Sequence, residues 1–474
     1  MRHRISPIAA VVLLAGIAGC SGTDAPTSVH TPPAAKAAGG PRADFNGDGY
    51  NDVAVGMSGP VINPDLLTNK PGAVVVTYGG KNGLDAAHST VVNHETAHVP
   101  SGAFGGAMTY GDLDNDGYTD LIVGNAIVWG GADGLSGGTP FKVPDHTKGG
   151  SVSASSLAVG DFNGDGKAEL AAFSSRDDSA DVWIFAGGFT HMGPGPGVYK
   201  MPSGLHGVQL NGADLLAGDL TGDHISDLVI ETTRYTDDDT PPSNTFYQGS
   251  KNGLAKASGS PLAPGHTIAV GDINRDGYGD LAIGDSSSHQ FDGQEGRGGF
   301  VTVTYGSKDG PGHGRPDQVI SKDTPGLPGP APAGPFADSV ALGDVNGDGF
   351  ADLAIGDGAQ PFGATINAGR VMVLRGSAAG ITTTGGQYFT QETPGIPGDS
   401  VTRDRFGESL LLTDVNNDGK ADLTVCGHED DRNRGSSWNL LGTAEGLSAT
   451  GAQRFGPADF HLPDYRNFCE SSTG

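Results

Sequence analysis

A nine-residue acidic segment occurs seven times along the 474-residue chain, and this repetition restricts the possible folds more than any other feature. The segments follow the pattern D-x-[DN]-x-D-G-x-x-D, with two departures described below. Their mean period is about 62 residues, which is typical of repeat architectures rather than of several unrelated domains. The seven copies begin at Asp44, Asp112, Asp161, Asp219, Asp272, Asp344 and Asp414.

Each segment presents oxygen atoms at a spacing that suits a hard cation such as Ca2+. Side chains at positions 1, 3 and 5 supply ligands, a backbone carbonyl at position 7 continues the curl, and the acid at position 9 closes the shell. Glycine at position 6 permits the positive φ that turns the chain around the ion. We therefore expect up to seven Ca2+ ions. The expected ligands are Asp44, Asn46, Asp48 and Asp52; Asp112, Asp114, Asp116 and Asp120; Asp161, Asn163, Asp165 and Glu169; Asp219, Thr221, Asp223 and Asp227; Asp272, Asn274, Asp276 and Asp280; Asp344, Asn346, Asp348 and Asp352; Asp414, Asn416, Asp418 and Asp422.

Two copies depart from the pattern. The fourth has Thr221 at position 3 and His224 where the others have glycine, so its ion is expected to be weak or absent. The third ends in Glu169, whose additional methylene is tolerable. Acid-rich hairpin turns without metal are the structural alternative, but seven copies of one ligand pattern favour metal.

Position 12 distinguishes these loops from EF-hand or dockerin loops, which start in the same way but need a ligand there. Here position 12 is aliphatic, and each loop is flanked by short apolar runs that are typical of strands. Each loop is therefore expected to join two antiparallel strands. The position-12 residues are Val55, Val123, Ala172, Ile230, Ile283, Ile355 and Val425.

Two further strands follow each loop hairpin. The third is often led by glycine, as in Gly72–Tyr78, and ends in a second repeated turn such as Lys81–Leu84. Glycine and proline together make up 110 of 474 residues, which favours many tight turns over long helices. Four antiparallel strands repeated seven times predict an all-β, seven-bladed β-propeller, since radial stacking buries both faces of every blade.

The residues ahead of three loops resemble FG-GAP repeats, the blades of integrin α-subunit propellers. They are Phe104–Ala107, Phe336–Ser339 and Phe406–Ser409. The resemblance covers residues 44 to about 460 and implies that the loops bind Ca2+ on the lower face through positions 1, 3, 5 and 9. Most copies lack the full Phe-Gly and there is no inserted adhesion domain, so integrin-type ligand binding is not implied.

The N-terminal residues have the layout of an export signal. Arg2 and Arg4 precede a short apolar run, and Ile17–Cys20 resembles the lipobox of bacterial lipoproteins. We predict a signal peptide over residues 1–19, lipidation at Cys20, a flexible linker over 20–43 and the propeller over 44–474. An ordinary cleaved signal is the alternative. The protein is then expected outside the cell, anchored to the outer face of the membrane.

Cys426 and Cys469 remain as a pair in an oxidising compartment, so a disulfide is plausible, with two buried thiols as the alternative. The first blade has little sequence before Asp44 to form its innermost strand. Either residues 38–43 or the tail after Asp459 could supply it.

Charge and motifs restrict the function. The net charge of −27 argues against nucleic acid or anionic lipid as the main partner. His94–His98 matches HExxH, but the β-branched run before it and Pro100 after it contradict a zinc-protease helix. No other catalytic motif occurs, and we identify no catalytic residues.

The connections on the face opposite the acidic loops are the expected ligand rim. Their longest members are residues 57–71, 231–244, 285–298 and 357–368, and they carry Tyr235, Phe291 and Phe362, which could stack on sugars. The leading hypothesis is calcium-dependent recognition of an extracellular glycan, protein or matrix ligand. The alternatives are an extracellular hydrolase or polysaccharide lyase on the same scaffold, and a purely structural module.

Overall fold

The computed structural model describes most of the chain from Arg42 to Gly474. The predicted signal peptide, Cys20 and nearly all of the linker lie outside the described residues. Within the described range the gaps are residues 59–60, 64–67, 70–71, 100–103, 105, 145–150, 153, 177–178, 196, 202–209, 235–243, 258–261, 287–298, 332–335, 428–429 and 431–433.

The described residues form seven four-stranded antiparallel sheets, each a blade of one propeller. The predicted fold is thus confirmed. From the innermost strand outwards, blades 1 to 3 consist of β32 (Arg466–Thr473), β1 (Val53–Ser58), β4 (Ala73–Thr77) and β5 (Ser89–Val92); β6 (Met108–Gly111), β7 (Asp120–Val123), β8 (Ala126–Trp129) and β9 (Ser136–Pro140); and β12 (Ser156–Gly160), β13 (Glu169–Arg176), β14 (Ser179–Phe185) and β15 (Val198–Lys200).

The remaining blades have the same order along the chain. They are β16 (Leu210–Gly218), β17 (Asp227–Arg234), β18 (Thr245–Gln248) and β19 (Ala255–Lys256); β20 (Thr267–Gly271), β21 (Asp280–Asp285), β22 (Phe300–Thr304) and β23 (Gln318–Ser321); β24 (Ser339–Gly343), β25 (Asp352–Gly356), β26 (Val371–Arg375) and β27 (Thr382–Phe389); and β28 (Ser409–Thr413), β29 (Asp422–Gly427), β30 (Ser436–Thr443) and β31 (Gly446–Phe455). The described elements also include two small two-stranded ribbons and one 3-10 turn at Pro457–Phe460. The ribbons are β2 (Val61–Asn63) with β3 (Thr68–Asn69), and β10 (Val143–Pro144) with β11 (Ser151–Val152).

The middle strands of each blade are buried on both faces because every blade packs between two others. In β4, Val74 and Val76 pack towards blade 2 against residues such as Leu121, whereas Val75 packs towards blade 7 with Val415. All five residues of β4 are buried. Burial on both faces explains why the strands that follow the loops are continuous apolar runs. A sheet with one solvent-exposed face would instead alternate apolar and polar residues.

The C-terminal strand closes the ring. β32 pairs antiparallel with β1, with Thr473 opposite Ala54, and provides the innermost strand of blade 1. It contacts the innermost strands of blades 2 and 7, so the seven innermost strands form an unbroken circle. Of the two alternatives left open by the sequence, the tail after Asp459 therefore supplies this strand. Ala43 is buried against the first two blades and does not form a strand.

A disulfide fastens the closing strand to blade 7. Cys426 of β29 and Cys469 of β32 are bonded, with their Cα atoms 5.5 Å apart. Both cysteines are buried in the cluster that includes Phe468. Because the bond closes a loop with a sequence separation of 43 residues, it contributes roughly 4 kcal/mol in the chain-entropy model.

The HExxH match is not helical. Residues 94–98 form consecutive turns, in which the N–H of Val99 donates to the carbonyl of His94 and His98 has a φ of 55°. Two histidines spaced by four residues share one face only on an α-helix. The geometry of a zinc-protease helix is therefore absent from this segment, as the flanking residues predict.

Candidate metal sites

The seven acidic loops share one hydrogen-bond pattern, illustrated by the loop that starts at Asp44. The carboxylate of Asp44 accepts from the N–H groups of Asp48 and Gly49, and Asn46 Oδ1 also accepts from Asp48 N–H. Asp48 Oδ1 accepts from the N–H of Tyr50. In six loops the position-3 oxygen accepts the position-5 N–H, which curls the chain around the oxygens at positions 1, 3 and 5, whereas Thr221 of the fourth loop donates to position 9. Six loops join the innermost strand of a blade to its second strand, and the first loop precedes β1.

The acid at position 9 has a structural role that the sequence did not reveal. Asp52 is fully buried, and its carboxylate accepts from Phe45 N–H at 2.8 Å and from Gly79 N–H at 2.9 Å. Phe45 stands at position 2 and Gly79 follows the third strand, so Asp52 joins three parts of the blade. The equivalent glycines in the other blades donate to position 9 in the same way and are Gly130, Gly187, Gly249, Gly306, Gly376 and Gly442.

Only glycine fits at this donor position. A Cβ atom added to Gly79 would lie 2.2 Å from the carbonyl oxygen of Asn51, at position 8 of the loop. The same contact recurs at Gly249, 2.2 Å from the carbonyl oxygen of Ser226. The regular occurrence of glycine after each third strand is the sequence signal that could have identified these donors.

The donor sets of two loops fit a hard divalent cation directly. One ligand oxygen from each of Asp112, Asp114 and Asp116 lies within 4.8 Å of the others, and the same holds for Asp161, Asp165 and Glu169. Oxygens around a single Ca2+ at 2.3–2.6 Å have separations of this size. Four other loops place Asn where the second loop has Asp114, and their amide oxygens accept the same position-5 N–H.

The fourth loop fits a cation least well. Thr221 is buried and its hydroxyl donates to Asp227 Oδ2, so it is directed towards position 9. His224 takes the place of glycine with a φ of 66°, and its Nδ1 lies 3.7 Å from Asp219 Oδ2. The backbone curl is retained, but the position-3 oxygen is directed to position 9, so the prediction of a weak or absent ion stays a prediction.

The loops are also bonded to one another around the ring. The carbonyl of Asp44, at position 1, accepts from Thr119 N–H, at position 8 of the next loop. The same bond joins Asp272 to Ala351 and Asp344 to Ala421. The side-chain amide of Asn51 joins the first loop to the last, since it donates to the carbonyl of Asp414. A change of shape in one loop is therefore passed directly to its neighbour.

Burial raises the pKa of every position-9 acid, and backbone N–H donors offset only part of the effect. The pKa is raised to about 8 for Asp52, to about 7 for Asp120, Glu169, Asp280 and Asp422, and to about 6 for Asp227 and Asp352. Asp352 also has Arg375 Nη1 at 3.0 Å, which favours its ionised form. Without a cation these acids are therefore partly protonated at neutral pH, and a bound cation would favour their ionised forms.

In EGTA the chain should become more stable as the pH falls from about 8 to about 5. The folded-state pKa values lie above the ordinary aspartate value of 3.8, so between these values the folded chain binds more protons than the unfolded chain. The stabilisation is complete below about pH 4 and is lost as the pH rises through about 6 to 8. In Ca2+ the slope should flatten, because a nearby cation lowers carboxyl pKa values.

Melting curves across this pH range, with and without Ca2+, measure the effect. Repeating them in about 1 M KCl, where the Debye length is about 3 Å, removes long-range repulsion and leaves the contribution of buried groups. A melting temperature in EGTA that rises with pH would contradict the prediction.

The upper face, opposite the acidic loops, carries the connections between second and third strands and between blades. Of its four long connections, only residues 357–368 are described in full, and Tyr235 and Phe291 lie outside the described residues. In that connection Phe362 and Ile366 are 39% and 62% exposed, and Val401 of the neighbouring link is 60% exposed. We call these three residues the apolar patch.

A buried ion pair holds the base of this connection. Arg370 Nε and Nη2 both lie 2.7 Å from Asp357 Oδ2, and Ala337 N–H donates to Asp357 Oδ1 at 2.7 Å. Burial raises the pKa of Asp357 to about 6 although Arg370 lowers it. The connection is also tied to the blade 6–7 link, where Arg403 N–H donates to the carbonyl of Ile366.

Residues held in the left-handed region lie in the same place. Asn367, Arg403 and Arg405 have φ values of 52°, 75° and 54°, which are uncommon for residues with side chains. Such conformations persist only where the surrounding structure imposes them, and they are enriched at binding sites. The apolar patch is therefore presented on a fixed backbone.

Among the described residues, no helix has the length and hydropathy needed to cross a membrane.

Sequence comparison identifies the repeats. The family model described as FG-GAP-like repeat matches residues 112–172, and that described as FG-GAP repeat matches residues 264–303 and 336–373. Over 225 residues the chain is 30% identical to integrin alpha-PS2 of Drosophila melanogaster, covering 42% of this chain and 15% of the relative. It is 33% identical over 166 residues to phosphatidylinositol-glycan-specific phospholipase D of Rattus norvegicus, covering 34% of this chain and 18% of the relative.

These relatives are far longer than the matched segment, which spans less than a fifth of each. Among solved structures, the rhamnogalacturonan lyase YesW aligns with a TM-score of 0.30 and 10% identity, covering 63% of this chain and 68% of the lyase. That structural likeness is too weak to bear on function.

Proposed function

Since the chain carries FG-GAP repeats in a seven-bladed propeller and has integrin α-subunits among its homologues, we propose that it is an extracellular, calcium-binding recognition protein. Its Ca2+ ions hold the acidic loops, and its upper face binds a ligand on another molecule. The signal peptide, the anchor at Cys20 and the external location belong to this proposal. They rest on the N-terminal sequence alone.

The observation that carries the proposal is the apolar patch on a fixed backbone. Exposed apolar side chains on soluble proteins mark interaction surfaces when they are grouped, and aromatic anchors contribute most to affinity. Phe362 and Ile366 project from a connection whose base is pinned by Asp357 and Arg370. Little conformational entropy would be lost on binding, because the backbone is already ordered. A protein surface is the ligand class that such a patch favours, with glycan and matrix ligands as alternatives.

A binding screen tests this function. The purified chain is applied to arrays of extracellular proteins and glycans in Ca2+ and in EGTA, and we expect saturable binding that EGTA abolishes. Phe362→Ser combined with Ile366→Ser should weaken that binding at least about 10-fold, since hot-spot truncations cost 2 kcal/mol or more each. Val319→Ser is the matched control, because Val319 is equally exposed but lies on the outer strand β23.

The result can also count against the proposal. Binding that survives the double substitution unchanged would place the ligand away from the apolar patch. Conversion of an array glycan into product, without retention of the protein, would favour the alternative of a hydrolase or lyase.

A further inference from the structure

A serine, a histidine and an aspartate lie together on the upper face of blade 5. Ser286 follows the end of β21, and its Oγ is 2.9 Å from His266 Nε2. The other ring nitrogen of His266, Nδ1, is 3.7 Å from Asp285 Oδ1. The order of contacts is hydroxyl, imidazole, carboxylate, which is the arrangement that activates a nucleophilic serine.

Strand geometry explains how these residues meet. Asp285 is the last residue of β21, and His266 stands immediately before β20, its partner in the sheet. The N–H of His266 donates to the carbonyl of Gly284, which fixes the imidazole beside the end of β21. The sequence separates Ser286 and His266 by 20 residues. The sequence therefore contains no linear motif that identifies Ser286, His266 and Asp285 as a group.

The exposure of each residue suits its role. Asp285 is fully buried, as an orienting carboxylate needs to be if water is not to compete for its oxygens. The side chain of His266 is 32% exposed and Ser286 is partly exposed, so a substrate can reach both. Asp214, on the innermost strand of blade 4, also interacts electrostatically with His266.

We propose that Ser286, His266 and Asp285 form a hydrolytic site for carboxylic esters, an activity independent of the recognition function. Asp285 Oδ1, 3.7 Å from Nδ1, would favour the Nδ1–H tautomer of His266 once this distance closes to that of a hydrogen bond, and Nε2 would then accept the Ser286 proton. As Ser286 Oγ bonds to the ester carbonyl carbon, its proton passes to Nε2. The bond from carbon to the alcohol oxygen then breaks, and the proton on Nε2 passes to the departing alcohol.

Water completes the cycle. It adds to the acyl carbon while giving a proton to Nε2, the bond between carbon and Ser286 Oγ breaks, and Nε2 returns the proton to the serine. The products are a carboxylic acid and an alcohol, and no oxidant or further reactant is needed. Asp214, Asp285 and the net charge of −27 disfavour anionic substrates, so neutral or cationic esters are the expected class.

The test uses the full chain in Ca2+. A biotinylated fluorophosphonate should label the protein at Ser286, located by peptide mass spectrometry, and p-nitrophenyl acetate should be hydrolysed catalytically. Ser286→Ala should abolish the label, and His266→Gln should lower both labelling and turnover at least about 100-fold, the usual contribution of a general base. Asp285→Asn should lower turnover while leaving the serine in place.

Ser250→Ala is the matched control. Its hydroxyl donates to the carbonyl of Gly253 in a turn next to the acidic loops, far from β20, so labelling and turnover should be unchanged. Melting curves of each variant identify any loss of folding, and His266→Gln, at a partly exposed position, provides the second test if Ser286→Ala is unstable. Absence of an adduct on Ser286, or labelling of Ser286 that does not depend on His266, would overturn the proposal.

Discussion

Chelating Ca2+ with EGTA is expected to lower the melting temperature of this protein by at least about 10 °C. Each ion would add about 2.7 kcal/mol to the free energy of unfolding when free Ca2+ is 100 times the dissociation constant. Six well-formed loops act together, and the bonds between successive loops, such as Asp44 to Thr119, join them around the ring. Loss of the ions should therefore affect all blades in one cooperative transition.

Two substitutions at position 5 of the acidic loops distinguish loss of Ca2+ stabilisation from a general effect of removing a negative charge. Asp116→Asn keeps the oxygen that accepts from Tyr118 N–H but removes one charge from the loop with four acids. Asp223→Asn keeps the equivalent bond to Ile225 in the fourth loop, which fits a cation least well. Only the first variant should weaken Ca2+ stabilisation. Calorimetric titration with Ca2+ should find about six strong sites. A melting temperature that is the same with and without EGTA would contradict the assignment of the loops as Ca2+ sites.

Removing the closing strand should have an effect of similar size. A chain that ends at Gly456 loses β32, the buried Phe468 and the disulfide of Cys469. Loss of a buried Phe side chain costs about 3–5 kcal/mol and loss of the disulfide about 4 kcal/mol, which together approach the whole stability of a typical domain. We expect no cooperative melting transition and rapid proteolysis from blade 1.

The control chain begins at Arg42 and retains the C-terminus, and it should melt as the full chain does. A synthetic peptide covering residues 457–474 should restore protease resistance to the truncated chain, because it carries the missing strand. If the truncated chain melts cooperatively within about 2 °C of the full chain, then β32 does not hold the ring closed.

Much of the fold could be predicted because its determinants are local. The acidic loop, the aliphatic residue at position 12 and the glycine-led third strand all lie within one repeat. Ring closure could be predicted only as one of two alternatives, because β32 pairs with β1 from the other end of the chain and no acidic loop precedes it directly. Only the apolar Phe468 next to Cys469 hints at a buried strand there.

The candidate sites also divide into features set by local spacing and features that depend on contacts between separate strands. Spacing in the sequence predicts the ligand set of each loop, and the structure brings Asp112, Asp114 and Asp116 within 4.8 Å of one another, whereas the predicted fourth ligand, Asp120, is not in this group. The Asp357–Arg370 pair depends on two strands that meet across a sheet. The contact between His266 and Ser286 likewise requires the pairing of β20 with β21, so spacing in the sequence contains no trace of it.

The pairing of β32 with β1 also sets the timing of folding during synthesis. Polypeptides leave the ribosome N-terminus first, at about 5–20 residues per second. The first blade keeps one edge open until β32 has emerged, by which time the strands of the six other blades have already left the ribosome. A chain interrupted before β32 would therefore lack the innermost strand of its first blade. Only molecules that include β32 can close the ring.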